Sequence, residues 1–326
     1  MIKYEKIGNI DSIEIANDTI SLLILPQIGG LIYEINHIPT GTQLLYHHYK
    51  KPELLGDLSS VYKMDDFLNS IFTGGYFEVL PNAGYKSIYH GVTFGLHDET
   101  PYLPWEYSIS NNAVILSRTL LKYPLKISKA IAIEKNVITI NEKLENLSSE
   151  KLYFSWLHHP TFGGNFLDQN TILELPNCQI EVDKYLDSGF SQMRCGYRGE
   201  WPFSSDKNGE KIDISAYPPK NKLNFNDLIY VPEVKKGYFK LSNVVRDISI
   251  EAYWDSNIFR SLWIWRPFGG GSGYPWYGTI YATAIEMTTS YPATGLQDQV
   301  KRGTAMKIGG DEIINTEIKY KINNHA

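Results

Sequence analysis

The chain reads as a succession of short alternating segments. Residues 12–17 and 21–25 alternate apolar and polar side chains on either side of Asn17-Asp18, a turn signal, and so predict a hairpin with one buried face. Residues 31–35 resume the alternation after a break from Pro26 to Gly30. Residues 113–118, 125–133 and 137–144 follow the same period, joined at Asn111-Asn112 and Lys135-Asn136, and residues 248–254 and 261–265 repeat it before a glycine-rich loop. Strands this closely spaced, with turn residues between them and no long amphipathic helix, predict antiparallel sheets packed face to face rather than βαβ units. Two stretches depart from the pattern. Residues 39–72 carry only a short helix signal around 52–58. Residues 202–222, rich in Ser, Asp, Asn, Lys, Gly and Pro, predict a surface excursion, with a lid over a site as the alternative.

Near the middle, residues 153–164 (YFSWLHHPTFGG) read as a strand stopped by Pro160 and a glycine pair. Side chains of a strand point to opposite faces in turn, so His158 shares a face with Leu152, Phe154 and Trp156, and His159 with Tyr153, Ser155 and Leu157. His158 is expected against the core, and His159 where a polar ligand is met. Gly91 and Gly95 share a face with Thr93 and His97, which leaves room beside that imidazole. In residues 279–292, Ala282, Ala284, Glu286 and Thr288 share a face, placing a carboxylate among small side chains. Taken singly, His97 also fits a packed turn residue and Glu286 a solvated strand position.

Composition narrows the function class. The 326 residues carry a net charge of −5 with both signs dispersed, and no basic cluster marks a nucleic-acid partner. The two cysteines, Cys178 and Cys195, match no zinc or redox spacing, and His47-His48 lacks accompanying ligands, so no metal is expected. No apolar leader and no run of about 18 apolar residues occurs, which predicts a cytoplasmic protein without a membrane partner. The 23 tyrosines and seven tryptophans suit a β core, and they also offer flat faces with polar tips for sugars.

Four motifs in order carry a resemblance: Gly74-Gly75-Tyr76-Phe77-Glu78-Val79-Leu80-Pro81-Asn82-Ala83-Gly84, then Leu96-His97-Asp98-Glu99 with Pro104-Trp105, then His159-Pro160-Thr161-Phe162-Gly163, then Ile285-Glu286-Met287-Thr288-Thr289-Ser290. The closing segment, Gly295-Leu296, Gly303 and then 308–312 before a final strand, fits as well. Together they resemble the galactose mutarotase (aldose 1-epimerase) family over nearly the whole chain. The resemblance implies one domain over 1–326, a large antiparallel β-supersandwich with the sugar on a concave sheet face, and no metal or organic cofactor. It implies Glu286 as base, His159 as acid and His97 as a sugar-bonding or assisting group. Asn82 matches the asparagine of the family's Pro-Asn motif, and Asp227 a hydroxyl-binding aspartate. Trp105, Trp265 and Trp276 are candidates for a stacking platform. Tyr85 and Lys86 stand where galactose-type members have an arginine, and Asp98 follows His97 where glycine is usual. The expected activity is interconversion of α and β anomers of an aldose or aldose derivative by a monomer or homodimer. A carbohydrate-binding or sensing protein without turnover, and another sugar isomerase on the same scaffold, are the alternatives. A reaction at pH 7 is expected to need a protonated His159 beside an ionised Glu286, each charge favouring the other.

Overall fold

The computed structural model describes residues 1–55, 72–186, 189–220, 224–271 and 273–324. Two antiparallel sheets dominate it. The larger, of twelve strands, runs in space through Ile2–Ile7, Ile10–Ala16, Ile20–Leu25, Leu31–His37, Tyr76–Val79, Leu157–Phe162, Thr283–Thr288, Ser261–Phe268, Phe225–Val231, Gln179–Val182 and Arg198–Glu200, with Thr42–Gln43 paired to Leu31–His37. The second, of eight, runs Glu106–Ser110, Ala113–Thr119, Leu125–Glu134, Val137–Asn146, Ile313–Asn324, Ile248–Trp254, Tyr238–Asn243 and Thr171–Glu174. No described helix is long and apolar enough to cross a membrane.

The burial pattern tells the two sheets apart. In the eight-stranded sheet burial alternates, as in Leu125–Glu134, where Leu125, Ile127, Lys129 and Ile131 are buried and the alternate residues are less so. One face therefore meets water and the other the core. Strands at the middle of the larger sheet are buried throughout, as in Leu157–Phe162 and Thr283–Thr288. One of their faces packs on the smaller sheet, in a core that includes Ile24, Ile35, Tyr76, Ile140 and Ile318. The opposite face holds a second apolar cluster with Phe77, Val79, Leu157, Leu228, Tyr230 and Trp263, roofed by loops. A sheet apolar on both faces at its centre has room for a site beneath its loops.

Three expectations change in detail. The central stretch is two strands: Leu152–Phe154 pairs with Met306–Ile308, and only Leu157–Phe162 joins the large sheet. That second strand runs through Pro160 rather than ending there; its pairing with Thr283–Thr288 skips His159 and Pro160 and resumes at Thr161, because proline has no N–H to give the ladder. The helix signal near 52–58 is a 3-10 turn over Pro52–Leu55, and its remainder lies outside the described residues. The 202–222 excursion contains a hairpin, Phe203–Ser205 with Lys211–Asp213, and buries Ile214 and Tyr217 in the main core. None of its described residues lines the cleft found below, so the lid alternative is not supported.

Candidate active site

Register across the large sheet brings the two chief candidates together. Leu157 pairs with Thr288 and Thr161 with Ala284, so His159 lies opposite Glu286 on one face; Trp263 pairs with Glu286 on the far side, and Phe77 with His159. The row Phe77, His159, Glu286, Trp263 therefore crosses four adjacent strands. His159 Nε2 is 3.5 Å from Glu286 Oε1, and its Nδ1 meets the Thr161 hydroxyl at 3.0 Å. The imidazole is stacked on the Phe77 ring, with centroids 4.5 Å apart. Phe77 is not among the site residues the sequence selects, although its period-2 relation to Val79 puts it on this face.

His159, Glu286 and Trp263 form the floor of an open cleft. Its walls come from Phe72, Tyr85, Leu96, His97, Leu186, Asn226, Leu228, Trp265, Trp276 and Ala293. His97 stands edge-on to His159 with ring centroids 5.6 Å apart. It sits at a positive φ of 51°, a left-handed conformation uncommon outside glycine. The loop is held there from several sides. The Gly84 N–H donates to His97 Nδ1 at 3.2 Å and the His97 N–H to the Gly84 carbonyl at 3.0 Å. Gly84 has φ +98°, and a Cβ on it would lie 2.4 Å from the Ala293 carbonyl oxygen, so no other residue reaches His97 in this way. Since Nδ1 accepts, the ring's Nε2 carries the hydrogen, and burial pushes the imidazole's pKa down to about 4. His97 is a neutral donor.

The charge state of the floor differs from the expected ion pair. Burial pushes Glu286 well above, and His159 well below, their ordinary ranges, with His97 adding to the depression of His159. Desolvation outweighs the mutual attraction, so the pair rests in its neutral form, with the proton on the carboxyl.

The remaining predicted residues divide. Trp265 lines the cleft, and its Nε1 donates to Asn226 Oδ1 at 2.7 Å. Trp105 does not: it is buried in the core between the sheets, bonded to the Thr100 carbonyl, with the Lys129 ammonium 4.6 Å over its ring. Asn82 is fully buried and spends its amide on the chain itself, donating to the carbonyls of Tyr85 and Gly95 and accepting from the Leu296 N–H. It ties together the segments carrying Tyr85 and His97 rather than facing a sugar. Asp227 points to the opposite face of its strand, where it accepts from Ser191 and from the Gln192 backbone and side chain. Its neighbours Asn226 and Leu228 take the cleft-facing positions, since a one-residue step exchanges faces. The alternation of Leu228 and Tyr230 is the sequence signal that selects Asn226. Tyr85, not Lys86, occupies the wall; burial followed by the Asp183 charge pushes its hydroxyl up to about 12, so it stays protonated.

No family model matches the chain, and no curated protein matches it. Solved structures do. A proposed aldose 1-epimerase of Klebsiella pneumoniae superposes with a TM-score of 0.70 at 14% identity, over 98% of this chain and 81% of the other. A galactose mutarotase-like protein of Clostridium acetobutylicum gives 0.64 at 14%, over 100% and 99%. A TPR-domain containing protein of Parabacteroides distasonis gives 0.61 at 11%, over 97% of this chain but 48% of that one. The architecture thus also occurs as part of a longer protein of different description. With strand order, sheet packing and these superpositions in agreement, the chain has the galactose mutarotase-like β-supersandwich fold.

Proposed function

We propose that this protein is a cofactor-independent mutarotase that interconverts the α and β anomers of an uncharged aldose. The observation that supports this most directly is the His159–Glu286 pair on the floor of an aromatic-walled cleft, with His97 beside it. Ring opening requires one group to take the proton from the anomeric hydroxyl while another protonates the ring oxygen as the C1–O5 bond breaks. The open-chain aldehyde then turns about C1–C2. The O5 hydroxyl attacks the other face of C1, and both protons return. A pair sharing one proton supplies one acid and one base. Sugar hydroxyls donating to Glu286 stabilise its carboxylate and draw the proton onto His159, which makes Glu286 the base and His159 the acid. His97 Nε2–H and the Tyr85 hydroxyl are positioned to donate to sugar oxygens.

The lining also bears on the substrate. Among its described residues the titratable groups are Tyr85, His97, His159 and Glu286, and none is a cation at neutral pH in the resting state. A phosphate or carboxylate on the sugar would meet a buried glutamate with no positive partner on these walls. Trp265 and Trp276, 5.6 Å apart and tilted by 54°, offer ring faces to the apolar face of a pyranose.

The test is anomer exchange followed by NMR over a panel of neutral and phosphorylated aldoses, with Glu286→Gln and His159→Ala alongside the wild type. Acceleration by the wild type and its loss in both variants is the expected result. Saturable binding without acceleration would replace this reading by that of a sugar-binding protein, a use of the fold to which nothing in its architecture objects.

A further inference from the structure

Directly behind the cleft, on the core side of the same strands, lies a sealed cluster of charged groups with no part in the chemistry above. Glu78, Lys129, Glu142 and His158 are each at most 5% exposed. The strand Tyr76–Val79 contributes Glu78 and Tyr76, Leu125–Glu134 contributes Lys129, Val137–Asn146 contributes Glu142, Leu157–Phe162 contributes His158 and Ile313–Asn324 contributes Tyr320. Trp156 donates its indole N–H to Glu78 Oε1 at 2.5 Å, and the Lys129 ammonium lies 3.3 Å from Glu78 Oε2. Tyr76 bonds His158 Nδ1 at 2.8 Å, and the Tyr320 ring packs edge-on to Tyr76. The other side of the cluster is unfinished. His158 Nε2 and Glu142 Oε2 are 3.1 Å apart but not aligned for a hydrogen bond, which leaves the Glu78 carboxyl as the side-chain hydrogen-bond partner within reach of Glu142.

Counting charge shows what is missing. Two carboxylates against one ammonium leave an uncompensated negative charge between two sheets, which costs far more than a core tolerates. One proton removes it. Oxygens of Glu78 and Glu142 lie within 4.8 Å of each other and of a His158 nitrogen, and two buried carboxyl groups this close cannot both ionise at ordinary cost. A divalent ion in the same place would leave the cluster with an excess positive charge beside Lys129.

We infer that Glu78, Glu142, His158 and Lys129 hold one proton in common behind the cleft, and that this proton keeps in place the two strands that present Phe77 and His159. The link is covalent and short: Glu78 follows Phe77 and His158 precedes His159, and these two strands pair directly. The four are positioning residues and touch no substrate. Burial pushes Glu78 up to about 7 and Glu142 up to about 8, while His158 is held down near 4, so the shared proton sits on the carboxyls. For a carboxyl raised on folding, the native state binds more protons than the unfolded chain. The resulting stability is full below the unfolded pKa and is lost as pH rises through the folded value, here up to about 8. The depressed His158 acts in the opposite sense only between about 4 and its unfolded value near 6.5.

The part of this inference that concerns activity rests on the mutarotase reading; the part that concerns the proton does not, and the experiment separates them. Melting temperature is measured from pH 6 to 9 for the full-length wild type, Glu142→Gln and Lys129→Met, together with the pH profile of anomer exchange. The amide introduced by Glu142→Gln mimics the protonated carboxyl and makes the cluster neutral without a shared proton. The wild type is expected to lose about 2 °C per pH unit toward pH 8. Glu142→Gln should flatten that slope and move the alkaline limb of exchange upward by a unit or more, whereas Lys129→Met, which creates a need for a second proton, should steepen it. Equal slopes in all three proteins would overturn the shared proton. Stabilisation of the wild type by Mn²⁺ or Zn²⁺, absent from Glu142→Gln, would overturn it in favour of a metal. If melting behaves as expected but the alkaline limb stays fixed, the link to His159 falls. If no sugar is exchanged at all, the mutarotase reading falls while the melting result still stands.

Discussion

His158 and His159 are consecutive residues, each within 3.5 Å of a glutamate, and they differ in almost everything else. His158 faces inward to Glu142, Tyr76 and the Phe259 ring, walled off by the second sheet. His159 faces a cleft, with Phe77 under its ring and Glu286 at its edge. The same pair of side chains is a structural tie on one side of a strand and candidate chemistry on the other. Access to a ligand decides which, since burial shifts both histidines in the same direction.

That contrast breaks most sharply at Glu286. Glu286→Gln is expected to slow anomer exchange about 10²- to 10⁴-fold, the range of a general acid or base, while leaving the melting temperature near that of the wild type. A rate within about threefold of the wild type would remove Glu286 from the chemistry. On the other side of the strand, His158→Ala should cost about 2–4 kcal/mol in denaturant unfolding, because it takes the partner of the buried Tyr76 hydroxyl and leaves a cavity. A loss under about 1 kcal/mol would show that His158 is not a tie at all. Asn82→Ala, which removes the partner of three backbone groups, is expected to cost about 1–3 kcal/mol and to weaken sugar binding through the displaced His97 loop, read by titration of the variant against the wild type. The mildest contrast compares two tryptophans. Trp265→Phe should weaken sugar binding by about 0.5–1.5 kcal/mol, and Trp105→Phe, in the core between the sheets, should leave binding unchanged while lowering stability.

The pH profile of exchange sharpens the same comparison. A pair that must hold one proton between His159 and Glu286 loses activity both when that proton leaves and when a second arrives, so a bell-shaped profile is expected. An alkaline limb that moves in Glu142→Gln would trace to the inner pair; one that moves only in variants of the cleft would trace to His159 and Glu286.

The fold class is legible in the sequence because period-2 alternation and turn residues are local signals, and both survive into the eight-stranded sheet, for example in Leu125–Glu134 and Val137–Asn146. The same local rule separates His158 from His159 and places Glu286 on the face with Ala284. Asp227 has the right chemistry on the wrong face, which the alternation along its own strand reveals. Trp105 and Asn82 mislead for another reason: nothing local distinguishes an indole that stacks on a ligand from one that fills a core, or an amide that binds a sugar from one spent on carbonyl and N–H groups of its own chain.

What the chain determined by itself is thus the alternation of faces, strand by strand. Which face is sealed and which opens into a cleft was decided by packing between segments far apart in sequence. Pairing of Leu157–Phe162 with Thr283–Thr288 brought Glu286 to His159 from the far end of the chain, and the second sheet closed over His158 and set its own Glu142 against it. Those are long-range contacts, and their effect on a titrating group comes through desolvation, a property of everything around it and not of its neighbours in the chain.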